Sequence, residues 1–236
     1  MYYTYGGDIY YFILLAVTLL SFAASRKVNS TYKKYAKERN LRGITGAEAA
    51  RIILRQNGLS NVPIQEISGE LTDNFDPRTN VLNLSQSVYY GTSPVAVGIA
   101  CHEVGHALQH AQDYFPGKIR SAIVPVAQIG TKLAFPLILG GLLLSRLSAS
   151  LYQLVYLGII CFAASTLFHL VTLPTEFNAS RRAMQCIENA ELLTEEERKS
   201  AGKVLTAAAM TYVAALAVSL VQLLRFIAIY GGKRRD

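Results

Sequence analysis

Residues His102-Glu103-Val104-Gly105-His106 read H-E-x-x-H. On a helix the two histidines fall on one face. Two imidazoles so placed can share one Zn²⁺, and the glutamate between them can act on the water of that metal. A motif this short also occurs by chance, so its setting has to carry the reading. Ser93-Pro94 supplies an N-cap and a proline at the first helical position. The run Val95 to Cys101 then leads into the motif without a break. The spacing predicts a buried helix that presents both histidines.

Two histidines leave a catalytic zinc site short, because such a site takes three protein ligands and a water. His110 lies one turn past His106. On a helix it stands about 12 Å along the axis from His102, at roughly 1.5 Å per residue, too far to share a metal with it easily. Leu108 and Gln112 stand where the three-histidine pattern has Gly and His. His110 therefore reads as a polar helix-end residue. Glu176, in Thr175-Glu176-Phe177-Asn178-Ala179-Ser180, is better placed, because the apolar stretch Leu151 to Leu173 ends just before it. A hairpin out of and back from a membrane would return the chain to the level of the motif there. The residues alone leave two readings open, a third ligand and a glutamate capping the next helix.

The elements that must position these residues follow from composition and hydropathy. The chain has 236 residues, 51% of them hydrophobic, with mean hydropathy +0.26. That composition points to a membrane protein with a soluble portion. Ile9 to Ala24 is an uncharged apolar run. Basic residues follow it rather than precede it, which favours an uncleaved anchor over a signal peptide. Tyr2, Tyr3, Tyr5, Tyr10 and Tyr11 suit an interfacial aromatic belt. Ile119 to Leu147 and Leu151 to Leu173 form a predicted transmembrane hairpin, and Leu205 to Tyr230 a last span. Lys132, within the second apolar stretch, reads as a snorkelling or interfacial lysine. The formal net charge is +7, and Lys and Arg are plentiful from Arg26 to Arg55 and from Arg181 to Lys203. Beside membrane spans such clusters are topology signals, not a nucleic-acid surface. They put both segments and the motif in the cytoplasm. Lys233-Arg234-Arg235 falls on the opposite side in a four-span topology and dissents. Cys101, Cys161 and Cys186 are scattered and suggest neither a disulfide framework nor a cysteine zinc site.

Within the soluble portion, Thr45-Gly46-Ala47-Glu48 is a capping box opening a helix to Gln56, which Asn57-Gly58 ends. Val62 to Ile67 reads as a short strand. Asp76-Pro77-Arg78-Thr79-Asn80 is a turn between two extended runs, and Val81 to Leu84 alternates as a half-exposed strand would. That strand could pair with an extended peptide substrate or be part of a plain structural hairpin. The expected fold is mainly α. It has about four transmembrane helices and a small α+β zincin-like cytoplasmic catalytic portion with a short hairpin. The expected division is an anchor at 1–25, a metallopeptidase portion at 26–117 and a transmembrane hairpin at 118–173. A cytoplasmic segment at 174–204, carrying the third ligand, and a last helix with a basic tail at 205–236 complete it.

The sequence resembles the YugP-like zinc-dependent membrane proteases, or neutral zinc metallopeptidases, nearly end to end. Its signposts are Arg42-Gly43-Ile44-Thr45-Gly46-Ala47-Glu48, Leu71-Thr72-Asp73 with Asp76-Pro77-Arg78-Thr79, and Ala100 to Ala107 around the motif. Two more are Leu173-Pro174-Thr175-Glu176-Phe177-Asn178-Ala179-Ser180 and Leu205 to Tyr212. The resemblance implies a bacterial multi-pass metallopeptidase that binds one Zn²⁺ per chain through His102 and His106, with Glu103 catalytic. The broader gluzincin pattern implies a glutamate ligand on a later helix, which Glu176 fits. Such proteases often carry Asp four residues beyond that glutamate, where Ser180 stands here. The implied chemistry is hydrolysis of peptide bonds in membrane or unfolded proteins by a zinc-activated water, with Glu103 as general base. His169 is one candidate for a further oxyanion donor, or else a buried polar residue of the bundle. Two other classes fit less well. A zinc-binding membrane scaffold without peptidase activity would not need Glu103, which is intact. A metal transporter would need more facing polar groups than Lys132, His169 and Gln153.

Overall fold

The computed structural model describes residues 4–230, so Tyr2, Tyr3 and Lys233-Arg234-Arg235 lie outside the described residues. The chain is mostly helical with one small sheet. In order, the elements are α1 (Thr4–Tyr35), α2 (Gly46–Gln56), β1 (Ile64–Ile67), β2 (Asn74–Asp76), β3 (Val81–Ser85) and α3 (Gln86–Tyr89). They continue with α4 (Pro94–Ala111), α5 (Phe115–Leu144), a 3₁₀ turn (Ala149–Tyr152), α6 (Gln153–Asn189) and α7 (Glu195–Tyr230). The apolar run after Ile9 does not end its helix at the basic cluster, because α1 continues to Tyr35.

Among the described residues, four helical stretches are long and apolar enough to cross a membrane: Ile9–Tyr35, Phe115–Leu144, Ala149–Asn189 and Glu195–Tyr230. They expose large apolar side chains that water would penalise, among them Phe12, Leu20, Phe22, Phe135, Leu139 and Ile160.

The chain divides into two compact units. The first gathers the described residues up to Ala23, Lys118–Leu173 and the residues from Thr211 onward. Its core is Ile138, Val155, Ile159 and Phe226, with the Phe162 and Phe226 rings edge-on at 5.3 Å. Gly130 sits where a Cβ would come within 2.6 Å of the Cys161 carbonyl oxygen, so α5 and α6 meet backbone to backbone there. Hydroxyls bridge the helices, Thr131 to Ser165 at 2.9 Å and Thr166 to Ser219 at 2.7 Å. In the last apolar stretch, Arg225 lies over the Tyr11 ring, 4.1 Å from its centroid.

The second unit takes Ala24–Gly117 and Pro174–Met210. Its helix α2 opens with the expected capping box, Glu48 N donating to Thr45 Oγ1 and Thr45 N donating back to Glu48. The buried face of α2, with Ala47, Ala50, Ile53 and Leu54, packs on Val97, Ala100, Cys101 and Val104 of α4. Leu82 and Leu84 point from β3 into the same core and are fully buried, each contributing about 1.5–3 kcal/mol. The outer residues Val81 and Asn83 are half-buried, as the alternation required.

The sheet order is β1-β3-β2. Strand β1 runs parallel to β3, with Ile64 opposite Leu82, and β2 runs antiparallel to it, with Phe75 opposite Leu82. The reading of the Val81–Leu84 strand as a partner for an extended peptide is therefore corrected. Both edges of β3 are already paired, and a central strand has no backbone groups to offer. The turn between β2 and β3 places Asn80 at φ 55°, a left-handed conformation that Asn adopts at little cost.

Candidate metal centre

Helix α4 starts as its sequence requires. The Ser93 hydroxyl accepts from Ala96 N at 3.1 Å, and Pro94 holds the first helical position. Cys101, beside the motif, turns into the hydrophobic core, and burial raises its thiol pKa well above the ordinary value. His102 and His106 face the other way, toward α6. The two helices come very close here. A Cβ on Gly105 would lie 2.6 Å from the Ala179 carbonyl oxygen, so only glycine admits this approach. The contact brings Glu176 onto the two imidazoles.

The ligand atoms of His102, His106 and Glu176 all lie within 4.8 Å of one another, a grouping that could hold a metal ion. Glu176 Oε2 is 3.2 Å from His102 Nε2 and 3.6 Å from His106 Nε2. The Glu176 side chain is 3% exposed, so its charge must be met inside the protein. The other ring nitrogens are held from behind. Ser180 Oγ lies 3.0 Å from His102 Nδ1, and Gln109 Oε1 lies 3.0 Å from His106 Nδ1.

The Gln109 contact fixes a tautomer. Its amide nitrogen donates to Thr175 O at 2.8 Å and to Asn178 Oδ1 at 2.9 Å. Arg182 Nε also donates to Asn178 Oδ1, at 2.7 Å, which fixes that oxygen. The Gln109 oxygen must then accept from His106 Nδ1–H. Neutral His106 consequently turns the Nε2 lone pair toward the Glu176 carboxylate. Two acceptors so placed need a proton or a cation between them. Two imidazole nitrogens and a carboxylate oxygen form a set suited to Zn²⁺, and partners on the remote ring nitrogens are what a ligating histidine usually has.

Glu103 is 8% exposed and accepts from Phe75 N at 3.0 Å. Burial pushes its pKa up to about 7. His102 opposes that shift, the carboxylates of Glu176 and Asp73 add to it, and the Phe75 N–H opposes it. Asp73 is itself raised by burial, against hydrogen bonds from Ser85 N at 2.7 Å and Ser85 Oγ at 3.0 Å.

The structure thus brings His102, His106 and Glu176 together, with Glu103 on the same helix as the histidines. His110 is not among them. It is exposed in the last turn of α4, with its ring 5.7 Å from Phe75. His169 belongs to the first unit. Four residues around the site were not read from the sequence as supports: Gln109, Ser180, Asp73 and Phe75. Gln109 carried a signal, since it lies three positions from His106 on the same helix. Phe75 carried none, because it acts through its backbone.

Residues 10–231 match the family model described as "Putative neutral zinc metallopeptidase", and the chain belongs to that family. It is 47% identical over 222 residues to "Putative membrane protease YugP" of Bacillus subtilis (strain 168). That similarity covers 94% of this chain and 96% of the relative. No solved structure matches. Four membrane-length apolar helices and a relative named as a membrane protease together indicate a multi-pass membrane protein.

Proposed function

We propose that this protein is a zinc-dependent integral membrane endopeptidase that cleaves membrane or membrane-proximal polypeptides. The observation that carries the reading is the meeting of His102, His106 and Glu176 within 4.8 Å, with a buried carboxyl group, Glu103, beside them.

His102, His106 and Glu176 would hold the metal, one ion per chain. When bound, Zn²⁺ supplies a water of lowered pKa and a Lewis acid for the scissile carbonyl. Ser180 and Gln109 hold the two imidazoles in the ligating orientation. Glu103 is the general base, a buried carboxyl group that can take up a proton and return it to the leaving amine. The Phe75 N–H keeps one carboxylate oxygen of Glu103 in place. In this reading the portion around the motif is zincin-like and catalytic, and the lysine and arginine clusters support a cytoplasmic side for it. Unfolded or misassembled membrane proteins are the substrate class this placement favours.

The test is zinc per chain in detergent-purified protein, wild type beside Glu176→Ala. About one zinc in the wild type and most of it lost in the variant is the expected result. Equal zinc in both would move the third ligand elsewhere. In parallel, Glu103→Gln should retain zinc and lose at least about a hundredfold in peptide hydrolysis. Hydrolysis at the wild-type rate would remove Glu103 from the chemistry. A wild-type protein that holds zinc but cleaves no membrane or unfolded substrate would favour the scaffold reading.

A further inference from the structure

The second unit contains a groove of about 700 Å³ between the end of α1 and the start of α7. The volume falls within the roughly 300–1,000 Å³ of small-molecule sites. Four lysines line it, Lys27 and Lys34 from α1 and Lys199 and Lys203 from α7, and its lining residues include no acidic side chain. Glu195 offsets one of these charges by pairing with Lys199 at 2.7 Å. Tyr35 gathers two others: Lys203 Nζ donates to its hydroxyl at 3.2 Å, and Lys34 Nζ lies 5.0 Å from the ring centroid.

The groove is polarised along its length. The Lys203–Tyr35 bond joins the end of α1 to the early turns of α7. The basic end is at Lys34, Tyr35, Lys199 and Lys203. Farther along each helix from that bond the lining includes Ala24 and Lys27 on α1 and Thr206, Ala207 and Met210 on α7, mostly uncharged. There α1 arrives from the apolar run Ile9 to Ala24, and α7 continues into the apolar run beginning at Thr211.

We infer that this groove binds an anionic phospholipid, its phosphate among the lysines and its acyl-glycerol portion against Ala24, Ala207 and Met210. Lysines act as point charges toward phosphate, and basic recesses between membrane helices suit anionic headgroups. The charge is complementary, and the apolar end fits an amphiphile where a soluble phosphate ester would leave it empty. The assignment rests on the helices crossing a bilayer and is independent of the peptidase reading.

The test uses the full-length protein in nanodiscs of equal dioleoylphosphatidylglycerol and dioleoylphosphatidylcholine. Lipid retained on release is counted by native mass spectrometry. Wild type should retain phosphatidylglycerol over phosphatidylcholine. Lys27→Gln/Lys34→Gln/Lys203→Gln should lower that preference about tenfold. The charge-matched Arg51→Gln/Arg55→Gln/Arg78→Gln should leave it unchanged. Thr206→Phe fills the groove without altering charge and should lower retention too, which covers the case in which the triple variant fails to fold. Equal retention of the two lipids by wild type overturns the proposal, as does equal loss in the charge-matched variant. Displacement of the lipid by millimolar glycerol phosphate would assign the groove to a soluble phosphate and overturn the lipid.

Discussion

At the scale of single residues, the proposed metal centre depends on side chains outside its ligand set. Ser180 stands four residues beyond Glu176, and its hydroxyl lies 3.0 Å from His102 Nδ1. A hydroxyl can accept from Nδ1–H as a carboxylate does, but without the charge. Ser180→Ala should weaken zinc binding about tenfold while leaving the fold intact, read by competition with a zinc chelator. Unchanged affinity would mean that packing alone orients His102. Asp73 gives a pH signature. Burial raises its pKa above the ordinary 3.8, so the folded state holds that proton more tightly than the unfolded one. Its contribution to stability is present below the ordinary value and lost as pH rises through the raised one. Asp73→Asn keeps an acceptor for Ser85 and should remove that loss. The melting temperature of wild type minus variant should therefore fall as pH rises from below the ordinary value through the raised one, and a flat difference would contradict the burial argument. The histidines and Glu103 were legible because the motif states its own spacing. Glu176 was legible only as one of two readings, since nothing local joins it to α4.

At the scale of elements, the site is made by the contact of α4 with α6. Gly105→Ala would place a methyl 2.6 Å from the Ala179 carbonyl oxygen, so the helices must part. The cost should be about 1–3 kcal/mol. Zinc should be lost with it, since Glu176 reaches the histidines only through that approach. A stable variant with full zinc would show that α6 can shift and keep its ligand. By contrast, Thr45→Ala at the N-cap of α2 should cost about 1 kcal/mol in thermal unfolding without affecting zinc. Helices with caps announced themselves: Thr45 with Glu48, and Ser93 with Pro94. The course of the sheet did not. Alternation at Val81–Leu84 told which side faces inward, but nothing in that run says which strands lie beside it. A parallel partner from Ile64–Ile67 is a tertiary choice, made when Ile64 and Leu82 enter one core.

At the scale of the whole molecule, the proposed orientation can be checked directly. In a Cys161→Ser/Cys186→Ser protein, Ser148→Cys in the α5–α6 loop should react with a membrane-impermeant maleimide on intact cells. Glu196→Cys should react only after permeabilisation. The reverse pattern would put the metal centre outside. Hydropathy revealed the apolar helices because length and composition alone define them. It could not reveal that α1 keeps its helical course through Arg26–Tyr35, since a basic stretch is compatible with a loop or a helix. One consequence concerns chemical resilience. Cys101 adjoins His102, yet its thiol is packed into the core and kept protonated by burial. Thiolate is the form that oxidants and alkylating agents attack. The proposed ligand set contains no sulfur, so peroxide or iodoacetamide should leave bound zinc in place, whereas a cysteine-based zinc site would release it.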